Sequence, residues 1–210
     1  LAMLAASSNK TEAERKLEAD TKSLNQVTGN IIVRNTVEGA LAGAAIGCGL
    51  VLLMGGNGQD CAKGAAVGAV AGGAYGNSVG QKAAQKKVEL VKRDQVLANL
   101  RGVSAKLGGV ETQLRAVVSS QNAELRSLRR QVEGKQISQS QYDARLAAIN
   151  SNRKVVSAAL DRSAKNMAKT ESDLKAAQAQ GQGQLGTLTA AAASTRSRLE
   201  RNRKLLALAQ

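Results

Sequence analysis

The sequence predicts an all-α protein in two parts, a glycine-zipper transmembrane helical hairpin followed by a long coiled-coil helical hairpin. Three observations carry that prediction. Glycine recurs every fourth residue at Gly39, Gly43 and Gly47 and again at Gly64, Gly68, Gly72, Gly76 and Gly80. After residue 80 the apolar residues alternate spacings of four and three, the period of a coiled-coil seam. The 210 residues include no Pro, Phe, Trp or His, and the only aromatics are Tyr75 and Tyr142. Without large rings to supply buried area, an Ala-, Leu-, Lys- and Arg-rich chain free of Pro reads as long helices.

The chain opens on a short apolar run, Leu1 to Ala6, too short to span a bilayer, which reads either as the processed remainder of an export precursor or as a trimmed start. Residues 1–35 form an amphipathic lead-in. Leu17, Leu24, Val27 and Ile31 share one face of a helix read from Asn9 to Asn35, with Glu14, Lys16, Asp20 and Lys22 elsewhere. That helix either lies in the headgroup plane or packs on the later coiled coil, and Ile31, Ile32 and Val33 offer a continuation into the membrane.

Residues 36–80 read as a membrane hairpin. No charge stands between Glu38 and Asp60 or between Lys63 and Lys82, and stretches of roughly 18 to 21 residues match a hydrocarbon core at 1.5 Å per residue. Gly55, Gly56, Asn57 and Gly58 supply the reversing turn. A period of four aligns the glycines on one stripe, where a second backbone approaches closely. Each interior Gly costs a helix about 0.8–1.0 kcal/mol against Ala, so the pattern suits lipid, where unpaired backbone is forbidden and close packing offsets the loss.

The run from Gly39 to Gly47, the Gly-rich turn and the run from Lys63 to Gly76 resemble the glycine-zipper two-pass domain of bacterial envelope proteins, found in outer-membrane lipoproteins and ahead of peptidoglycan-binding modules. The resemblance covers roughly 45 of the 210 residues. It implies envelope location and membrane-embedded self-association. The chain shows no lipid-anchor Cys at its start and no recognisable peptidoglycan-binding domain, so direct wall anchoring is not implied.

Cys48 and Cys61 flank the turn. In an oxidising compartment they are expected to form a disulfide, which requires the first helix to loosen near Gly47 and Gly49; the alternative is two small buried apolar residues.

Residues 81–180 read as a coiled-coil helical hairpin. Its first seam is Val96, Leu100, Val103, Leu107, Val110, Leu114 and Val117, resumed by Leu125, Leu128 and Val132 after Gln121 and Glu124 break the phase. Gly102, Gly108 and Gly109 beside it weaken the helix and invite either close approach of another helix or plain surface tolerance. A reversal is expected near 134–138, with Gly134 closing one helix in the left-handed region, Ser138 capping the next and Ile137 stapling onto Tyr142. Tyr142, Leu146, Ile149, Val156, Leu160, Met167 and Leu174 continue the spacing, interrupted by the polar Arg153 and Ser163. The Gly181 to Gly186 stretch ends or hinges this helix, and residues 187–210 form a last helix with Leu199, Leu206 and the Ala190 to Ala193 run.

The formal charge of +14 lies almost wholly after the zipper, and such a surplus either attracts polyanions or marks a solvated basic coiled coil. No catalytic constellation stands out: there is no His, the carboxylates are scattered, and the glycine runs lack the context of a phosphate or dinucleotide loop. No metal site and no cofactor are expected. The function expected is a non-enzymatic membrane protein of the bacterial cell envelope with a periplasmic coiled coil, self-assembling into a homo-oligomeric scaffold or ring. Its expected partners are itself, membrane lipid, and anionic lipid, lipopolysaccharide, cell-wall polymer or an envelope protein complex. Nucleic acid is a weaker candidate. The competing classes are a pore or channel and a basic polyanion-binding protein.

Overall fold

The computed structural model describes residues 9–37 and 89–210. Those residues are all-α: α1 is Glu12–Thr28, α2 Ile31–Arg34, α3 Arg93–Glu133, α4 Gln139–Ala179 and α5 Gly186–Lys204, with an isolated antiparallel bridge between Thr36 and Val91. The zipper glycines Gly39, Gly43, Gly47, Gly64, Gly68, Gly72, Gly76 and Gly80, and Cys48 and Cys61, lie outside the described residues. Among the described residues no helix is long and apolar enough to cross a membrane.

Local chemistry sets each helix end. Thr11 caps α1 through a capping box: its hydroxyl accepts from the Glu14 backbone N–H at 3.2 Å while the Glu14 carboxylate accepts from the Thr11 N–H at 2.8 Å. At the other end Asn30 adopts a left-handed conformation, φ 55°, which Asn tolerates better than most residues. The helix read from Asn9 to Asn35 is therefore divided in two.

The α3 helix closes in a Schellman turn, with the Gln136 N–H donating to the Gln131 carbonyl at 2.8 Å and the Lys135 N–H to that of Val132 at 3.0 Å. The left-handed residue is Lys135, φ 57°, and not Gly134 as the sequence suggested. What Gly134 supplies is room, since a Cβ there would sit 3.3 Å from the Arg130 carbonyl oxygen. Ser138 then caps α4, its hydroxyl accepting from the Gln141 N–H at 3.2 Å and the Gln141 side chain accepting from the Ser138 N–H at 2.9 Å. A second Schellman turn ends α4, built on Gly181 at φ 104°, with the Gln182 N–H on the Ala177 carbonyl at 3.2 Å.

The described residues divide into two compact units. The first draws on residues 9–29, 102–165 and 195–210, the second on residues 30–37, 89–101 and 166–194. In the first, α1 and α5 each lie against both α3 and α4. Contacts from Glu14 to Gln121, Asp20 to Gln113 and Ser23 to Lys106 run α1 antiparallel to α3. Contacts from Arg198 to Glu111 and, past the end of α5, from the Gln210 carbonyl to Arg129 run the C-terminal stretch parallel to α3. Leu17, Leu24, Val103, Leu107, Val110, Leu114, Ile149, Val156, Leu160 and Leu199 are buried between these helices. Leu125, Tyr142 and Ile149 form a cluster with Leu128, Val132, Leu146 and Ala209 packed against it. Each fully buried Leu or Ile is worth about 1.5–3 kcal/mol, and many such medium-sized side chains stand in for aromatic ones. The second unit buries Ile31, Ile32, Val91, Val96, Leu100, Met167, Leu174, Leu185 and Leu188.

Gly102, Gly108 and Gly109 face open space. A Cβ at any of them would meet no heavy atom within 4 Å among the described residues, so they mark no close helix crossing.

Candidate functional site

The junction where the chain leaves for and returns from residues 38–88 lies in the second unit, and hydrogen bonds hold it shut. The Val37 N–H donates to the Leu90 carbonyl at 3.0 Å and the Lys92 N–H to the Asn35 carbonyl at 2.7 Å. Neither side is left to the bridge alone. The Asn35 amide donates to the Ile31 carbonyl at 2.7 Å, and the Thr36 hydroxyl donates to the Ile32 carbonyl at 2.9 Å. On the returning side one glutamine does the holding. Gln182 is only 5 % exposed; its Oε1 accepts from the N–H groups of Leu90 and Val91, both at 2.9 Å, and its Nε2 donates to the Val91 carbonyl at 2.9 Å. The Gly181 turn aims that side chain, and the Arg93 guanidinium beside it donates to the Gln184 side chain. A groove of about 520 Å³ lies alongside, lined by Glu89, Lys92, Arg93, Asp94, Gln95 and the loop from Gly181 to Gln184.

A second polar centre lies inside the first unit. Glu14 is 1 % exposed, yet its carboxylate accepts from Arg145 at 2.8 and 3.0 Å, from Gln121 at 2.9 Å and from the Thr11 N–H. Arg145 reaches Glu124 as well, at 2.8 and 2.9 Å. Burial pushes the Glu14 carboxyl up, but the hydrogen bonds from Arg145, Gln121 and Thr11 outweigh it and hold the group below its ordinary range. Burial likewise works against the charge of Arg145, and the bonds to Glu124 and Glu14 reverse that, so the guanidinium is held more firmly protonated than usual. Arg153, 4 % exposed, meets only neutral acceptors: the side chains of Gln121 at 2.9 Å and Asn122 at 2.7 Å and the Ala207 carbonyl at 2.7 Å. Burial lowers its pKa. Asn152 completes the layer, donating to the Glu14 carbonyl at 3.1 Å and accepting from Gln121 at 3.0 Å. Among the described residues every buried side-chain nitrogen or oxygen has a partner, which makes this layer a lock between helices.

In the first arm Val96, Leu100, Val103, Leu107, Val110, Leu114 and Val117 are buried, as is Leu125, while Leu128 and Val132 are half-buried; in the second arm Ile149, Val156 and Leu160 are buried and Leu146 half-buried. The sequence marks Gln121, Arg153 and Ser163 as polar breaks in the seams, and all three are buried; it does not mark the polar half of α1. It placed Glu14 among the outward charges, whereas Glu14, Leu17, Thr21, Leu24 and Thr28 follow spacings of three and four and are all buried. Thr28, and not Val27, takes the last position. Thr21 and Thr28 hide their hydroxyls by donating to the Leu17 and Leu24 carbonyls at 2.6 and 2.9 Å. Residue spacing alone held that signal, since Thr21 and Thr28 stand a heptad apart in phase with Leu17 and Leu24. Nothing local marks Gln182, whose partners are about 91 positions away.

Among the described residues no cluster of His, Cys, Asp or Glu could hold a metal ion. Comparison with protein-family models, with curated proteins and with solved structures finds no match to this chain.

Proposed function

We propose that this chain is a non-enzymatic protein of the bacterial cell envelope, in which the stretch of residues 36–80 that follows the Thr36 and Val37 junction forms a two-pass glycine-zipper hairpin in a membrane. The zipper helices assemble copies into a homo-oligomeric scaffold or ring, and the helices of 89–210 stand outside the bilayer as a coiled-coil arm. Such an assembly suits a subunit of a larger envelope machine.

The observation that supports this reading is the pairing of Thr36 with Val91. A segment crossing a bilayer once would part its two ends by about 30 Å of hydrocarbon. Here they are joined by backbone hydrogen bonds of 2.7 and 3.0 Å, as an even number of passes requires. The two uncharged stretches and the turn from Gly55 to Gly58 provide two. Arg34, Lys92 and Arg93 stand beside the junction, where cations meet lipid phosphates.

The test is sidedness. In sealed vesicles, with Cys48 and Cys61 replaced by Ser, an impermeant maleimide is expected to label Asn57→Cys and Lys135→Cys from opposite faces, and the protein is expected to stay with the membrane through an alkaline carbonate wash. Labelling of both positions from one face, or release of folded protein by the wash, refutes the two-pass hairpin.

A further inference from the structure

A groove of about 340 Å³ runs between α3 and α5 in the first unit, lined by Glu111, Arg115, Arg198, Arg201, Asn202 and Leu205. Its one carboxylate is already used. Glu111 accepts from Arg198 at 2.9 and 3.2 Å and from Asn202 at 2.8 Å, and Arg198 is further tied to Ser104 at 2.8 Å. Arg115 and Arg201 are exposed and make no hydrogen bond among the described residues; the Glu111 carboxyl is held low chiefly by its bond from Arg198, and Arg115 adds to that only through its charge. Leu205 at the rim is 46 % exposed, and with Leu208 at 52 % it makes up the exposed large hydrophobic residues among those described.

The spacing of these residues gives the surface a direction. Arg198, Arg201 and Asn202 follow i, i+3 and i+4 on the last turns of α5, and Leu205 stands in the turn just past its end, its N–H on the Asn202 carbonyl at 3.1 Å. On α3, Glu111 and Arg115 are four apart on the facing wall. A lengthwise groove of this kind takes a helix laid into it, anchored at heptad positions.

The chain itself shows the chemistry of such an occupant. Against α3 and α4 it lays α1, whose Leu17 and Leu24 fill the seam while Glu14 meets the guanidinium of Arg145 and Asp20 meets Gln113. The groove between α3 and α5 offers arginines beside one exposed leucine, with no helix in it among the described residues. A flat anionic bilayer would draw equally on lysines and arginines all over this basic surface, whereas paired guanidinium forks beside a leucine in a concavity match carboxylates on a helix.

We propose that this groove docks an acidic amphipathic helix of a partner protein, its carboxylates on Arg115 and Arg201 and an apolar side chain on Leu205. The probe is a fluorescein-labelled peptide of three Leu-Glu-Glu-Leu-Glu-Ala-Ala heptads, titrated with the full-length chain in nonionic detergent and followed by anisotropy. The Arg115→Gln/Arg201→Gln variant is expected to bind at least tenfold more weakly, and Leu205→Ser several-fold more weakly with an unchanged salt dependence. Lys22→Gln/Lys154→Gln, which removes the same charge elsewhere on the unit, is expected to change binding less than threefold. All these positions are exposed, so thermal midpoints should match that of the parent chain.

Equal weakening by the two double variants would reduce the effect to diffuse charge and overturn the proposal, as would failure of the parent chain to bind. Displacement of the peptide by phosphatidylglycerol vesicles in the parent chain, with vesicle binding lost in Arg115→Gln/Arg201→Gln, would assign the groove to lipid instead. A drop in oligomer mass of that variant without peptide would assign it to a second copy of the chain.

Discussion

Replacing Arg145 by Met strands a carboxylate. Glu14 is 1 % exposed and would lose two charge-assisted hydrogen bonds of 2.8 and 3.0 Å, keeping only the donors of Gln121 and Thr11. Glu124, the other partner of Arg145, has a side chain 38 % exposed and returns to water at little cost. Breaking a buried pair from one side costs about 3–5 kcal/mol; the retained donors place Arg145→Met near the lower end, about 3 kcal/mol. That is a large share of an ordinary domain stability of about 5–15 kcal/mol. Glu14→Gln keeps the capping box with Thr11 and carries no charge to strand, so Glu14→Gln/Arg145→Met should be about 1 kcal/mol more stable than Arg145→Met alone. The assay is urea denaturation of the full-length chain followed by helical circular dichroism, arranged as a double-mutant cycle. The pH dependence adds a sign. In the parent chain the Glu14 carboxyl is lowered from 4.5, so the stability it contributes is present above that value and lost as pH falls through the lower folded one. Without Arg145, burial dominates and raises it, and acidification then relieves the stranded charge. The gap between parent and Arg145→Met should narrow as pH falls from neutral toward 4.5. Strict additivity in the cycle, or a gap that widens on acidification, refutes the lock.

Three further outcomes follow from the same physics. Gln182→Leu removes three hydrogen bonds of 2.9 Å to the returning strand, so the amides of Leu90 and Val91 should exchange with deuterium at least tenfold faster; unchanged protection would mean the bridge to Thr36 stands without it. Gly109→Ala adds a Cβ in open space within α3 and should stabilise by about 0.5–1 kcal/mol, seen as a raised melting temperature, whereas a loss would reveal a close neighbour. Asp173 is buried and its carboxyl is raised by that burial, against the pull of Lys169. A raised carboxyl makes stability fall as pH rises through its folded value, so Asp173→Asn should be the more stable form at pH 7 and lose that advantage in acid, measured by denaturation at both pH values.

The sequence by itself determined the helices and much of their buried faces. Heptad spacing predicted Val96 through Val117, Ile149, Val156 and Leu160 as core, because a repeat of 3.5 residues keeps one stripe facing a partner whatever that partner is. Turn chemistry is equally local: Ser138 caps because Gln141 stands three residues on, and Gly181 turns because it lacks a Cβ. The tertiary structure decided what polarity alone disguised. Glu14, Arg145 and Asn152 look like surface residues, and Gln121 and Arg153 like breaks in a seam, until folding brings together positions up to about 138 apart that satisfy one another's hydrogen bonds. The junction is the same kind of fact. Gln182 is one glutamine among many until the Gly181 turn places it on the backbone of Val91, and the meeting of Thr36 with Val91 is a pairing over more than fifty residues that no local pattern encodes. Burial tolerates a polar group only where a distant partner completes it, so the chain's polar core was settled by its three-dimensional pairing, while its apolar core could be read from spacing.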